Sequence, residues 1–342
     1  MTVAVTGGAS FIGSHLVERL SELGASVTVL DDFSSGRMEN LRSCKDRVKI
    51  RKVNLREYSE ARATIPEKAL VFQLAAEHGG RAFIDTHPFE CWSNITLDQI
   101  VFRAALDQGC KKIVYACSAC VYPPGLQEKG KRVWLKEEDA GFYGSQRDSD
   151  GEYGWAKLIG EATLQSLVKQ RGMKAASARI YSAYGPRENE THAVLAWIAR
   201  AFIRQDPLQI WGDGKQERNF TFVNDIVAGL LRLAERVDDG TPVNLGQDKP
   251  IVVDEGVRLI CKMFGHTPEF VYDLTKPVGV YARMADLTRA KALLNWTPDT
   301  SFETGLKPTI DWYVANRDPE FVRKNLDRLL FERDVVPDKG WD

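Results

Sequence analysis

The chain of 342 residues is long enough for one large or two medium domains, each with its own core. Its apolar share of 44% and charged share of 27% are those of an ordinary folded protein, and a net charge of −1 gives no basic surface for nucleic acid or anionic membrane. There is no long apolar run and no signal-peptide pattern before the first strand, and the six cysteines lack the spacing of a secreted framework, so a cytoplasmic protein with reduced thiols is expected.

In chain order, apolar runs at 3–5, 26–30, 48–50, 70–74 and 113–117 read as buried strands, with helical periods at 11–23 and 92–108 between them. A polar, charged excursion over 125–151 is expected at the surface, followed by a helix over 152–170 and a strand over 175–180. Beyond residue 186 the alternation weakens: helices are expected near 191–205, 223–236, 254–264 and 302–316, with strands near 208–211, 242–245 and 269–272. Residues 318–342 read as a charged tail with one amphipathic segment and no assigned role. The pattern predicts an α/β protein: a Rossmann-type doubly wound parallel sheet followed by a smaller C-terminal α/β cap that binds substrate.

Three stretches carry chemistry. TVAVTGGASFIGSHL sets Gly7, Gly8 and Gly13 between a strand and a helix, where backbone N–H groups and the helix N-terminus suit a pyrophosphate. The next strand ends in Asp31 and Asp32, at the place where a carboxylate binds an adenosine ribose 2′-hydroxyl and repels a 2′-phosphate; this favours NAD over NADP. EYGWAKLIGEA places Tyr153 and Lys157 at i and i+4, on one helix face, where the cation favours phenolate and makes Tyr153 a candidate base. CSACVYPP holds Ser118 at a strand end, within a C-x-x-C of Cys117 and Cys120. No second ligand pair is spaced for zinc, and a redox dithiol belongs at a helix N-terminus, so neither a metal site nor a dithiol is expected.

TGGASFIGSH, DDFSSGRMENL, QLAA, CSACVYP, YGWAK, YGP and WGDGKQERNFTFVND together resemble the extended short-chain dehydrogenases/reductases. The likeness is to the NAD-dependent nucleotide-sugar epimerase/dehydratase family and covers residues 1 to about 315. It implies NAD as cofactor and a nucleotide-diphosphate sugar as substrate, with no nucleic-acid or membrane partner, and a homodimer. It also implies an NAD-binding domain over 1–180 to which 219–248 return, and a sugar-nucleotide domain from 181–218 and 249–342.

By the same resemblance Ser118, Tyr153 and Lys157 form the catalytic triad. Gly7, Gly8, Ser10, Phe11, Ile12, Gly13, Asp31, Asp32, Asn54, Leu55, Leu74, Ala75, Ala76 and Asn94 line the cofactor site, together with Tyr153 and Lys157. Gly80, Arg81, Ser118, Ser182, Trp211, Gln216, Arg218 and Arg283 meet the substrate, with Arg218 and Arg283 clamping its diphosphate. Three positions depart from the family pattern: Ser10 replaces a middle glycine, Ser182 an asparagine, and Asn54 an aspartate.

Within the family, SACVYP and GGRAFI are most similar to the branch that inverts C3 and C5 of GDP-mannose-type hexoses. A C4 ketone acidifies the protons on both neighbouring carbons, and Cys120 is the candidate base, since a thiol of pKa about 8.5 is readily activated by a cation. The alternative for Cys120 is a small buried hydrophobe at a strand end. The lysine acid of that branch is missing after YGP, and His192 is the candidate replacement, an imidazole of pKa about 6.5. A 4-epimerase, a dehydratase, or a non-catalytic dinucleotide sensor remain open alternatives.

Overall fold

The computed structural model describes residues 1–141, 148–333 and 335. Seven strands form one parallel sheet: β1 (Thr2–Thr6), β2 (Ser26–Asp31), β3 (Lys49–Lys52), β4 (Leu70–Gln73), β5 (Lys112–Ser118), β6 (Lys174–Ile180) and β7 (Asp239–Leu245). Their spatial order is β7-β6-β5-β4-β1-β2-β3. The order reverses at β1, which pairs with β2 on one side and β4 on the other, and a crevice opens beyond the carboxyl ends of the strands. Both faces of the inner strands are covered, so TVAVT and LVFQ run nearly continuously buried instead of alternating. The edge strand β3 reads KIRK, and its exposed lysines blunt the unpaired edge.

α1 (Phe11–Glu22) packs with α7 (Val223–Arg236). α4 (Pro88–Asp107) lies between α2 (Tyr58–Thr64) and α5 (Gly151–Arg171). α3 (Arg81–Thr86) is a short helix beside the crevice. A second core is built from α6 (Ala193–Phe202), α8 (Val253–Met263), α9 (Phe302–Asn316) and α10 (Pro319–Phe331) around Leu195, Ile198, Ile260, Leu306 and Tyr313. Among the described residues no helix is long and apolar enough to cross a membrane.

Three segments differ from expectation. The polar excursion over 125–151 is drawn inward: Gln127, Leu135 and Glu137 are buried. Two buried arginines anchor it: Arg283 donates to Gln127 at 2.7 Å, and Arg179 of β6, ion-paired to Glu161 at 2.6 Å, donates to the carbonyls of Glu137 at 2.7 Å and Ala140 at 3.1 Å. Residues 142–147 of that excursion lie outside the described ones. The stretch bearing Ala285, Leu287, Ala290, Leu294 and Trp296, assigned above to the sugar-nucleotide domain, packs into the sheet's core instead, and the Trp296 indole donates to the Asp225 carbonyl of α7 at 3.1 Å. The charged tail contains α10, whose first turn is capped by the Asp318 carboxylate accepting from the N–H groups of Glu320 and Phe321. Val322, Leu326, Leu329 and Leu330 then bury its apolar face; residues 334 and 336–342 lie outside the described ones.

Candidate active site

A cleft of about 500 Å³ opens at the strand reversal. Gly7, Ser10, Phe11, Ile12, Gly13, Asp31, Asp32, Leu55, Leu74, Ala75 and Ala76 line it. A Cβ on Gly13 would stand 2.1 Å from the Gly7 carbonyl oxygen, so only glycine lets α1 start directly on this turn. Ser10 does not loosen the turn, because its hydroxyl donates to the same carbonyl at 2.5 Å. The Asp31 carboxylate accepts the N–H groups of Ala9 and Phe33, both at 2.8 Å, and burial pushes its pKa up despite them. Asp32 accepts from the Ser34 backbone and hydroxyl at 2.9 and 2.7 Å.

Three expected cofactor residues are not among those lining the cleft. Gly8 packs against Val29 and Val17. Asn54 is exposed and accepts the Arg56 N–H at 3.1 Å, so it caps a turn. Asn94 is fully buried and exchanges hydrogen bonds with the backbone of Glu77, 2.8 Å to its N–H and 2.9 Å to its carbonyl, which fixes the loop after β4.

β5 delivers Ser118 to the cleft, and the Ser118 hydroxyl accepts the Cys120 N–H at 3.1 Å. The first two turns of α5 carry Tyr153 and Lys157 to the same place. Lys157 is 1% exposed, and its ammonium has no hydrogen-bond partner among the described residues. It sits 4.8 Å from the ring centre of Tyr115 and 5.9 Å from that of Tyr153. A buried ammonium without acceptors is costly, and the ribose hydroxyls of a dinucleotide are acceptors of the right kind, so these residues fit NAD. Burial, with nearby thiols and Asp98 adding to it, holds the Tyr153 phenol well above its ordinary pKa. The neighbouring lysine therefore does not by itself produce the phenolate expected from the sequence; the positive nicotinamide ring of bound NAD would have to supply the rest.

One wall of the cleft is ionic. Arg283 donates to the Cys120 sulfur at 3.4 Å, to Asp150 at 2.6 Å and to Gln127 at 2.7 Å. Arg81 meets the other Asp150 oxygen at 2.7 Å. Burial works against the charge on Asp150, but Arg283 and Arg81 outweigh it and hold the carboxyl below its usual range. Arg218 donates to the carbonyls of Glu217, Tyr281 and Val278, and burial and the charge of Arg283 lower it to about 10. Ser182 and Gly80 also line this cleft, whereas Trp211 and Gln216 line an adjoining cavity of about 130 Å³, which Arg81 and Arg218 border as well.

The other wall is built from the loops around residues 78 and 190. A Cβ on Gly80 would lie 1.7 Å from the Thr191 carbonyl oxygen, so these loops touch backbone to backbone. The contact stacks the rings of His78 and His192 with centres 5.0 Å apart, and His78 leans on Tyr153 at 5.1 Å. Burial and the Arg333 guanidinium hold His192 down to about 4, and burial, His192 and Arg333 hold His78 well below its ordinary value. Both are neutral at neutral pH, so the imidazolium acid expected of His192 is not present. Arg333, beyond α10, donates to the His78 carbonyl at 3.0 Å and pairs with Glu77. His78, Glu188 and Arg333 were missed from the sequence; the only visible signal was the place of the first two beside GGRAF and YGP. Cys117 is buried, its sulfur 3.7 Å from the Lys157 carbonyl, and burial pushes its thiol pKa well up.

A glycine turn facing a strand reversal, with serine, tyrosine and lysine gathered beside it, defines a dinucleotide-dependent oxidoreductase site of the short-chain dehydrogenase type. Residues 3–246 match the model of the NAD dependent epimerase/dehydratase family, and the chain belongs to that family of NAD-dependent nucleotide-sugar enzymes. It is 31% identical over 317 residues to GDP-mannose 3,5-epimerase 1 of Oryza sativa subsp. indica, covering 91% of this chain and 81% of the rice protein. It is 28% identical to a UDP-N-acetyl-alpha-D-glucosaminuronate decarboxylase of Bacillus cytotoxicus, over 90% of this chain and 96% of that one. The structure of UDP-glucose 4-epimerase from Thermotoga maritima superposes with a TM-score of 0.81 at 27% identity, covering 92% of this chain and 99% of the other.

Proposed function

We propose that the protein epimerises a nucleotide-diphosphate hexose of the GDP-mannose type at C3, C5 or both, through transient oxidation at C4. Bound NAD supplies the hydride acceptor for that oxidation and takes part in no net redox change. Tyr153, oriented by α5 and electrostatically backed by Lys157, removes the C4 hydroxyl proton, and Ser118 holds that hydroxyl. Cys120 removes a ring proton α to the resulting ketone. The observation that carries the reading is the Arg283 guanidinium donating to the Cys120 sulfur at 3.4 Å, which fixes the sulfur inside the cleft beside a cation. Arg218, whose direct partners are backbone carbonyls, is the matching cation for the diphosphate. A cytoplasmic homodimer belongs to the same reading, and sedimentation would test its assembly.

The deciding experiment incubates the enzyme in D₂O with GDP-mannose and with UDP-hexoses. Deuterium at C3 and C5 of an inverted product supports the double epimerisation, and deuterium at C5 alone a restricted one. Inversion at C4 only, loss of water, or loss of CO₂ from a uronate would reassign the protein to another branch. Cys120→Ala should retain transient C4 oxidation and lose ring-hydrogen exchange by about 10²-fold or more; unchanged exchange removes the thiol from the mechanism.

A further inference from the structure

The neutral wall contains a carboxyl that the reading above leaves unused. Glu188 follows the 183–185 segment, is 2% exposed and lines the same cleft as Tyr153 and Cys120. Its Oε1 lies 3.5 Å from Nδ1 of His192, and its Oε2 has no hydrogen-bond partner among the described residues. Its loop neighbour Glu190 is also buried, but differs in being neutralised by Arg317 at 2.9 Å. The groups facing Glu188 are few: His192 from the start of α6, Glu190 from its own loop, and the N–H of Gly185. None of them brings a positive charge at neutral pH, since His192 is neutral.

We propose that Glu188 is a catalytic residue, the proton donor that completes inversion at the ring carbon whose proton Cys120 removes. The inference rests on the epimerase reading. Burial, with Glu190 adding to it, pushes the Glu188 carboxyl well above its ordinary pKa, so it holds its proton where an ordinary glutamate would not. The step balances without any outside reagent. Cys120 thiolate takes the ring hydrogen as a proton, breaking C–H and leaving the electron pair in the enolate of the C4 ketone. Collapse of the enolate forms a new C–H bond with the proton of the Glu188 carboxyl, restores the C4 carbonyl and leaves Glu188 as carboxylate. Nothing is oxidised or reduced in this half, and each group is reset by proton exchange, His192 being the neighbour of Glu188 able to relay it. His192 is on this account a positioning and relay residue, not the donor.

The test compares wild type, Glu188→Gln and Glu188→Asp as full-length holoenzymes with the hexose that wild type inverts. Glu188→Gln should keep C4 oxidation, seen as transient reduced nicotinamide, and keep solvent exchange of the ring hydrogen. Its inverted product should fall about 10²-fold, with partial recovery in Glu188→Asp. Independently of turnover, difference infrared spectroscopy of the enzyme at neutral pH should show one protonated-carboxyl stretch in wild type that Glu188→Gln lacks. Wild-type inversion rates in Glu188→Gln, absence of that stretch, or equal loss of C4 oxidation and inversion would each overturn the proposal while leaving the epimerase reading standing. If wild type exchanges no ring hydrogen with any hexose tested, the epimerase reading itself fails and the donor role with it.

Discussion

The two walls of the cleft solve the problem of buried polar groups in contrary ways. The wall of Cys120, Arg283, Asp150 and Arg81 keeps its charges and pairs them, each guanidinium set against a carboxylate or sulfur. The wall of His78, His192 and Glu188 gives its charges up: desolvation drives both imidazoles and the carboxyl to their neutral forms. Pairing demands geometry, and removing one partner exposes the full desolvation cost of the other. Neutralisation demands only enclosure, and it is undone by pH. The lesson is that one cleft can offer both ionised and protonated groups near neutral pH when its two sides differ in how their charges are compensated.

The largest effect expected from breaking this contrast falls on the ionic wall. Arg283→Met should leave Asp150 and Cys120 short of a partner and cost about 3–5 kcal/mol of stability, read from urea unfolding. A loss under about 1 kcal/mol would mean that the pairing is weaker than its geometry.

Acidification should break the other wall first. His192 titrates at about 4 in the folded protein against about 6.5 unfolded, so its neutral burial contributes stability that is fully present above pH 6.5 and lost as pH falls towards 4. His78 acts with the same sign, at most about 1.4 kcal/mol per pH unit for each histidine. Asp150, depressed below its ordinary value, gives up its contribution only at lower pH, below the histidine window. Unfolding curves across pH 4–7 should flatten in His192→Gln relative to wild type; His78 and His15, also depressed, supply the slope that remains, and Glu188, whose raised carboxyl favours the folded state at lower pH, opposes it. An unchanged slope would show that the imidazole is already charged. The smallest effect is expected from Arg333→Gln, a loss of about 1–2 kcal/mol with a rise in the His192 titration point followed by NMR, because the guanidinium that helps depress it is gone.

Legibility differed between the same two regions. The sheet, α1, α5, α7 and α9 were readable because their apolar periods and glycine turns are local, and Ser118, Tyr153 and Lys157 could be placed from motif and spacing. The ionic wall was half readable: Cys120, Arg81, Arg218 and Arg283 were named, but Asp150 was not, since its role exists only where α5 meets residues 81 and 283. The neutral wall was nearly illegible. Its pKa values come from enclosure by loops more than 100 residues apart, as the Gly80 to Thr191 bond shows, and no local pattern encodes enclosure. Asn54 and Asn94 show a related limit of motif position, which sets a residue near the cofactor turn without fixing which way its side chain turns: Asn54 binds the Arg56 N–H and Asn94 the backbone of Glu77.

The hydrogen bond from Arg333 to the His78 carbonyl spans 255 residues, and β7 joins the sheet only at 239–245. On the ribosome, therefore, the dinucleotide turn and the loop after β4 are finished long before the residue that clasps them. At a synthesis rate of about 5–20 residues per second, the nascent first half waits on the order of ten seconds or more with this side of the cleft uncovered. The histidine pair would feel ordinary solvent through that interval, and the protein's unusual proton affinities are among the last properties it acquires.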